Sequence, residues 1–364
     1  MERTAPAGTS ASAEISEQEL ALATRNHGMP LEALRHEITP IGLHYLLIHY
    51  DIPVVDPTDW RLRIDGLVER PLTLSLENLR ARPRVTAAVT MECAGNGRAS
   101  LSPRPLSQPW LLEAVGTAEW TGTPLAPLIA ECGLAAEAVE LVFTGIDRGI
   151  EGGVEQSYER SLPLGEALAD DVLLAYEANG QPLPPQHGYP LRLVVPGWYG
   201  MTSVKWLRSI SAVAEPFEGY QQAQGYRMMR SADDPGTPVT RMVPRSLMVP
   251  PGIPDFMSRR RFLEPGPLRL EGRAWSGWGA IERVDVSADG GETWMAAELA
   301  PQPSARAWRG WTCAWEPPAP GDYELCSRAA DSAGNVQPVT ADWNLKGYAN
   351  NSLQRVPVQV ADRG

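Results

Sequence analysis

Cys93 stands in the segment MECAGNGR (Met91–Arg98), between a β-rich run and a glycine-bearing loop. A thiolate is a soft metal ligand and a nucleophile, and the neighbouring Arg98 favours its ionised form. Gly95 and Gly97 allow backbone to approach a ligand closely. Local sequence leaves two readings open, a reactive or metal-binding thiol and a buried structural one. A second constellation lies further on. His187, Arg192 and Lys205 flank one pair of strand candidates, Leu191–Gly200 and Ser203–Val213. Three such donors suit an anion such as a phosphate, with unrelated surface charges as the alternative. His44 and His49 are potential ligands near the N-terminus, without an H-E-x-x-H or metal-spaced cluster around them. No P-loop, dinucleotide-binding glycine motif or G-x-S-x-G is present. Cys93, Cys132, Cys313 and Cys326 form no C-x-x-C, which excludes a zinc ribbon and a thioredoxin motif.

The elements around these residues read as α+β. Trp60–Val68 alternates Leu62 and Ile64 with Arg61, Arg63 and Asp65, a strand pattern, and Ser75 caps a short helix. Pro124–Leu134 reads as a helix ending near Gly133. Val85–Arg98, Val139–Phe143, Leu191–Gly200 and Ser203–Val213 read as strands without a regular βαβ alternation. From Leu268 the texture changes to seven short strand candidates with a hairpin signal at Asp289–Gly291, which predicts an immunoglobulin-like sandwich. These seven include Val339–Leu345. The pair Cys313 and Cys326 falls on neighbouring candidates, where a disulfide is conceivable but disfavoured in a reducing compartment.

The 364 residues carry 32 Lys and Arg against 44 Asp and Glu, a formal charge of −12. That argues against a broad nucleic-acid or anionic-membrane surface. No apolar run approaches the roughly 18 residues of a membrane span. The first 26 residues show no apolar leader and no twin arginine, so a cytoplasmic location is expected.

Four separated motifs together resemble the sulfite oxidase family of molybdenum enzymes: MECAGNGR; NGQPLPPQHGYPLRLVVPGWYG followed by SVKWL; GRAWSGWGAIERVDVSADGGETW; and DSAGNVQPVTADWNLKGY. They occur in the family order from about Leu31 to Val360. The entry segment ITPIGLHY also resembles the molybdenum subunit of bacterial sulfur dehydrogenases. Residues 1–25, small, polar and acidic, read as a flexible or loosely docked tail, and the resemblance implies a molybdopterin-binding catalytic domain over 26–250 and an immunoglobulin-like homodimerisation domain over 251–364. It implies a molybdenum–molybdopterin cofactor, with Cys93 as the one protein ligand to the metal. His187, Arg192 and Lys205 match residues that hold the pterin, with Asn96 and Asp51 as weaker candidates. Tyr226 matches a tyrosine beside the reacting oxygen, able to relay protons. Arg98, Trp110 and Arg355 match the anion pocket, which would place that pocket at a fixed domain boundary. His49 stands where sulfite oxidases carry an arginine, so the pocket loses fixed positive charge. The implied reaction is oxidation of sulfite to sulfate, with another sulfur compound (thiol-bound sulfur or a sulfoxide) or an inactive binding homologue as alternatives. Neither a C-x-x-C-H nor a flavin or nicotinamide fingerprint occurs, so no haem or flavin is expected. Electrons would then pass to a separate acceptor, a cytochrome or dioxygen.

Overall fold

The computed structural model describes residues 15–361. Two sheets carry the first domain. One is ordered Leu72–Leu74, Leu62–Gly66, Leu207–Val213, Glu140–Glu151, Val154–Pro163. Its pairing is antiparallel except where Leu62–Gly66 runs parallel to Leu207–Val213. The other pairs Val85–Glu92 with Val115–Pro124 and then Leu173–Ala178, to which Arg192–Val194 also pairs, all antiparallel. Alternation does what it predicts: Leu62 and Ile64 are buried and Arg63 is exposed. The helix Leu76–Arg80 begins at Ser75, whose hydroxyl accepts from the Asn78 N–H in a capping box. Leu125–Cys132 lays Leu125, Leu128 and Ile129 into a core shared with Leu62, Leu141 and Leu174.

The second domain is a two-sheet β-sandwich. One sheet is ordered Arg245–Met248, Leu268–Trp275, Arg309–Trp315, Glu298–Leu299. The other includes Arg261–Leu263, Val356–Val360, Gly321–Asp331 and Ile281–Ser287. Arg245–Met248 already pairs within the first of these sheets. Cys313 and Cys326 fall in opposite sheets, and both are free thiols.

Two sequence expectations meet the structure differently. The first is the flexible or loosely docked tail: residues 1–14 lie outside the described residues, and Glu17–Arg25 is a docked helix with a Ser16–Glu19 capping box. It is docked by a Glu19–Arg104 ion pair and by Arg25 Nη2 donating to the Tyr50 carbonyl at 2.7 Å. An acidic, polar composition concealed this, because Glu19 is buried against its partner rather than solvated. The second is Val339–Leu345, which is not a strand. This segment returns to the first domain, where the Trp343 indole donates to the Pro103 carbonyl and the Leu345 N–H to that of Met229.

The domains are fixed to each other. One core cluster joins Met29, Tyr199 and Tyr226 of the first to Leu247, Trp275 and Trp308 of the second. Across the same seam Glu92 is wholly buried. It accepts from Arg245 at 2.8 Å, from the Trp275 indole at 2.9 Å and from Asn96 at 3.0 Å. A carboxylate this deep is tolerable because three donors, one of them the Arg245 guanidinium, replace water around it.

Candidate active site

Strand Val85–Glu92 grows more buried along its length and ends by delivering Cys93 to the interior. The chain then turns back on itself. A Cβ at Gly95 would lie 2.6 Å from the Arg98 guanidinium, and Gly97 adopts φ +89°. Both glycines therefore serve the folding-back of Arg98 over the loop. Asn96, a cofactor candidate from sequence, faces neither cavity described below. Its amide donates to Glu92 and to the Leu112 carbonyl and accepts from the Ala114 N–H, so it fastens the loop.

Two cavities meet at Cys93. The inner one is lined by His44, His187, Arg192, Ser203 and Lys205, with Asp147 as its carboxylate. The outer one, about 850 Å³, is lined by Arg98, Gln108, Trp110, Glu151, Gln221 and Tyr348. Cys93, His49 and Tyr226 border both.

The inner cavity gathers more buried cationic groups than carboxylates. Arg192 is buried, donates to the His187 and Ser203 carbonyls, and lies 4.6 Å from the Trp120 ring centroid. Its Nε has no partner, nor has His44 Nε2. Lys205 donates to the Leu47 carbonyl at 2.6 Å. Burial pushes Arg192 down to about 10 and His44 down to about 4. Burial also drives Lys205 down and Asp147 up. The orphaned Arg192 Nε–H, a buried donor beside Lys205, fits an anionic group such as a phosphate.

In the outer cavity Arg98 Nε donates to the Lys346 carbonyl at 2.7 Å and Nη1 to that of Gln108 at 3.2 Å. Its guanidinium lies 5.2 Å from the Tyr348 centroid. Burial raises the Cys93 thiol, while Arg98, the Gly95 N–H and Trp110 favour its thiolate. The Trp110 indole N–H has no other partner. Between the cavities, His49 Nε2 and the Tyr226 hydroxyl are 2.5 Å apart. Burial, with Lys205 and Arg160 nearby, pushes His49 down to about 3. A neutral His49 with Nε2 as acceptor receives the Tyr226 hydroxyl proton in this bond.

The sequence-derived residues thus sort by place. Cys93, Tyr226, His49, Arg98, Trp110, His187, Arg192 and Lys205 converge. Arg355 and Asp51 do not. Arg355 sits on the sandwich, paired with Glu324 and donating to the Gly290 carbonyl, and borders neither cavity. Asp51 is exposed and closes a local turn on the Ile52 N–H. The second domain reaches the site through another segment. Lys346 Nζ donates to the Gly225 carbonyl at 3.0 Å and the Tyr348 hydroxyl to the same oxygen at 3.2 Å. Sequence reasoning passed over Lys346, Tyr348, Glu151, Gln221 and Arg160. For Arg160 a signal existed: strand alternation puts it on the buried face with Tyr158 and Leu162.

The comparisons with known proteins agree with this geometry. Residues 49–221 match the oxidoreductase molybdopterin binding domain, and 242–361 the Mo-co oxidoreductase dimerisation domain. The chain is 37% identical to sulfite oxidase of Gallus gallus over 345 residues, which are 90% of this chain and 74% of that protein. The chain belongs to the sulfite oxidase family. It is 36% identical to the mitochondrial sulfite oxidase of Homo sapiens, spanning 62% of that protein's length. Identity to a nitrate reductase [NADH] of Brassica napus is 31%, over 40% of its length. Among solved structures, the sulfane dehydrogenase SoxCD from Paracoccus pantotrophus superposes with a TM-score of 0.79 at 32% identity. That match covers 91% of this chain and 84% of the other. The fold is thus the sulfite oxidase type, a molybdopterin-binding domain followed by a dimerisation domain, and the chain is a molybdopterin-dependent oxidoreductase. No helix among the described residues is long and apolar enough to cross a membrane.

Proposed function

We propose that this chain oxidises sulfite to sulfate, with a molybdenum–molybdopterin group held in the inner cavity and the anion in the outer one. The observation that supports this is the meeting of the two cavities at Cys93, with unpaired buried donors on one side and Arg98 on the other. His187, Arg192 and Lys205 would hold the pterin phosphate, and the Cys93 thiolate the metal. The bound group supplies two-electron, oxygen-transfer chemistry that side chains lack.

The chain's own residues do the rest. Sulfite becomes sulfate by gaining one oxygen, ultimately from water, with release of two protons and two electrons. Arg98 binds the oxyanion through charge-assisted hydrogen bonds, and the Trp110 N–H adds a donor. Tyr226 holds a proton at its phenolic oxygen, in contact with the His49 Nε2 acceptor, and gives the site a relay that avoids bulk water. The electrons leave to a separate acceptor, a cytochrome or dioxygen. The protein works as a homodimer joined through its second domain.

A second reading, oxidation of another sulfur compound such as thiol-bound sulfur or a sulfoxide, draws support from two features. His49 is neutral, and the Glu151 carboxylate faces the outer cavity, accepting from Gln221 at 2.5 Å. Sulfite-dependent reduction of ferricyanide by molybdenum-loaded protein across pH separates them. Robust turnover is expected. None at any pH, with molybdenum present, assigns the site to the second substrate class.

A further inference from the structure

Arg160 is a buried cation that the reaction as described does not use. It projects from strand Val154–Pro163 and is 2% exposed. Its Nε has no partner, and among the described residues it forms no ion pair. Its guanidinium carbon lies 5.5 Å from the Tyr226 ring centroid. One Nη donates to the carbonyl of Gln221, and that same oxygen accepts the Tyr226 N–H at 3.2 Å. Gln221–Gly225 is a single π-helical turn, a form found mostly at functional sites. Arg160 therefore grips the turn that presents Tyr226 and lies behind the phenol's ring.

We propose that Arg160 is a positioning residue: it braces Tyr226 through the Gln221 carbonyl and lends the outer cavity a fixed positive charge that draws the anionic substrate. Because Arg160 lies behind Tyr226 and Gln221 rather than in the cavity, it acts by field and not by contact. In a dry interior that field is only weakly screened. The other charged groups around the cavity divide: Arg98 and Lys346 add to it and Glu151 opposes it. A bound anion gives this unpaired cation the counter-charge that the fold withholds. The tautomeric pairing of His49 gains as well, since Arg160 disfavours a second positive charge beside Tyr226.

The proposal rests on the anion-oxidising reading of the outer cavity. Its test compares wild-type holoenzyme with Arg160→Gln and Arg160→Lys, by calorimetric sulfate binding and by sulfite kcat and KM. Gln keeps a donor for the Gln221 carbonyl and removes a charge that has no partner, so folding is protected. Melting temperature and molybdenum content verify this. Arg160→Gln is expected to weaken sulfate binding and raise sulfite KM by about tenfold, a step of ~1.4 kcal/mol. Arg160→Lys is expected to recover most of both. If Arg160→Gln binds sulfate as tightly as wild type, or if Lys fares no better than Gln, the field role is overturned. Should Gln not fold, Lys carries the test: a tenfold loss of sulfate affinity in it overturns the proposal, and near-wild-type affinity supports it. If wild type neither binds sulfate nor oxidises sulfite, the cavity reading fails and takes this proposal with it.

Discussion

The inner and outer cavities share four residues, Leu47, His49, Cys93 and Tyr226, and are otherwise built on opposite plans. The inner is lined by first-domain residues alone, among them Met91 of strand Val85–Glu92 and Arg192 of strand Arg192–Val194. Its cations outnumber its one carboxylate, Asp147, and Arg192 keeps an Nε without a partner among the described residues, so a bound anion would complete it. The outer borrows Tyr348 from the second domain, and its Arg98 is already anchored on carbonyls and stacked on an aromatic ring. It is complete as it stands and mixes a guanidinium with the Glu151 carboxylate. The first plan suits a permanent tenant whose binding completes the fold. The second suits a ligand that must also leave.

The largest expected effect is at the shared wall. Cys93→Ser removes the soft ligand while leaving the cationic cradle intact. Sulfite turnover should fall to background, and the pterin should still copurify, read by fluorescence of the released pterin beside metal analysis. Retained molybdenum-dependent turnover, with an unchanged metal spectrum, would remove Cys93 from its role.

A smaller effect separates the cavities by pH. His44 and His187 are buried in the inner one, and burial lowers them to about 4 and about 2. The unfolded chain protonates both near pH 6.5, while the folded chain refuses those protons. Stability is therefore highest above 6.5 and is lost as pH falls toward 4, by up to about 1.4 kcal/mol per histidine per pH unit. The melting temperature of cofactor-free protein should drop steeply between pH 7 and 5. A phosphate in the cradle favours the charged histidines, so the loaded protein should fall less. Equal slopes in the two forms would mean that the inner cavity is not where the anion sits.

What the sequence disclosed follows the same division. Cys93, His187, Arg192 and Lys205 stand in compact motifs, and the strand before Cys93 and the strand carrying Arg192 were readable from local pattern. The outer cavity needed distant pieces. Lys346 and Tyr348 arrive because Trp343 and Leu345 tie a non-strand segment back to the first domain. Arg160 arrives by sheet register and Glu151 by the reach of a long hairpin. Beyond the alternation that marks Arg160 as buried, no local signal encodes such meetings. Asn96 and Asp51 illustrate the converse. Both lie close in sequence to site residues, yet one fastens a loop and the other closes an exposed turn.

The smallest predicted effect is the most discriminating for the outer cavity. By resemblance, Arg355 belongs to the anion pocket. In the fold it is an exposed partner of Glu324, with the two side chains 43% and 41% accessible. Pairs this open contribute roughly 0–1 kcal/mol, because water and salt already screen both charges. Arg355→Ala should therefore shift stability by less than about 1 kcal/mol and leave sulfite KM unchanged. Lys346 and Tyr348 connect the second domain to the Tyr226 turn whether or not Arg355 is present. A large rise in KM for Arg355→Ala would mean that the sandwich approaches the site in a second arrangement, with Glu324 released. The domain seam through Glu92, Arg245 and Trp275 argues against that, since moving Arg355 inward would break a fully buried hydrogen-bonded carboxylate.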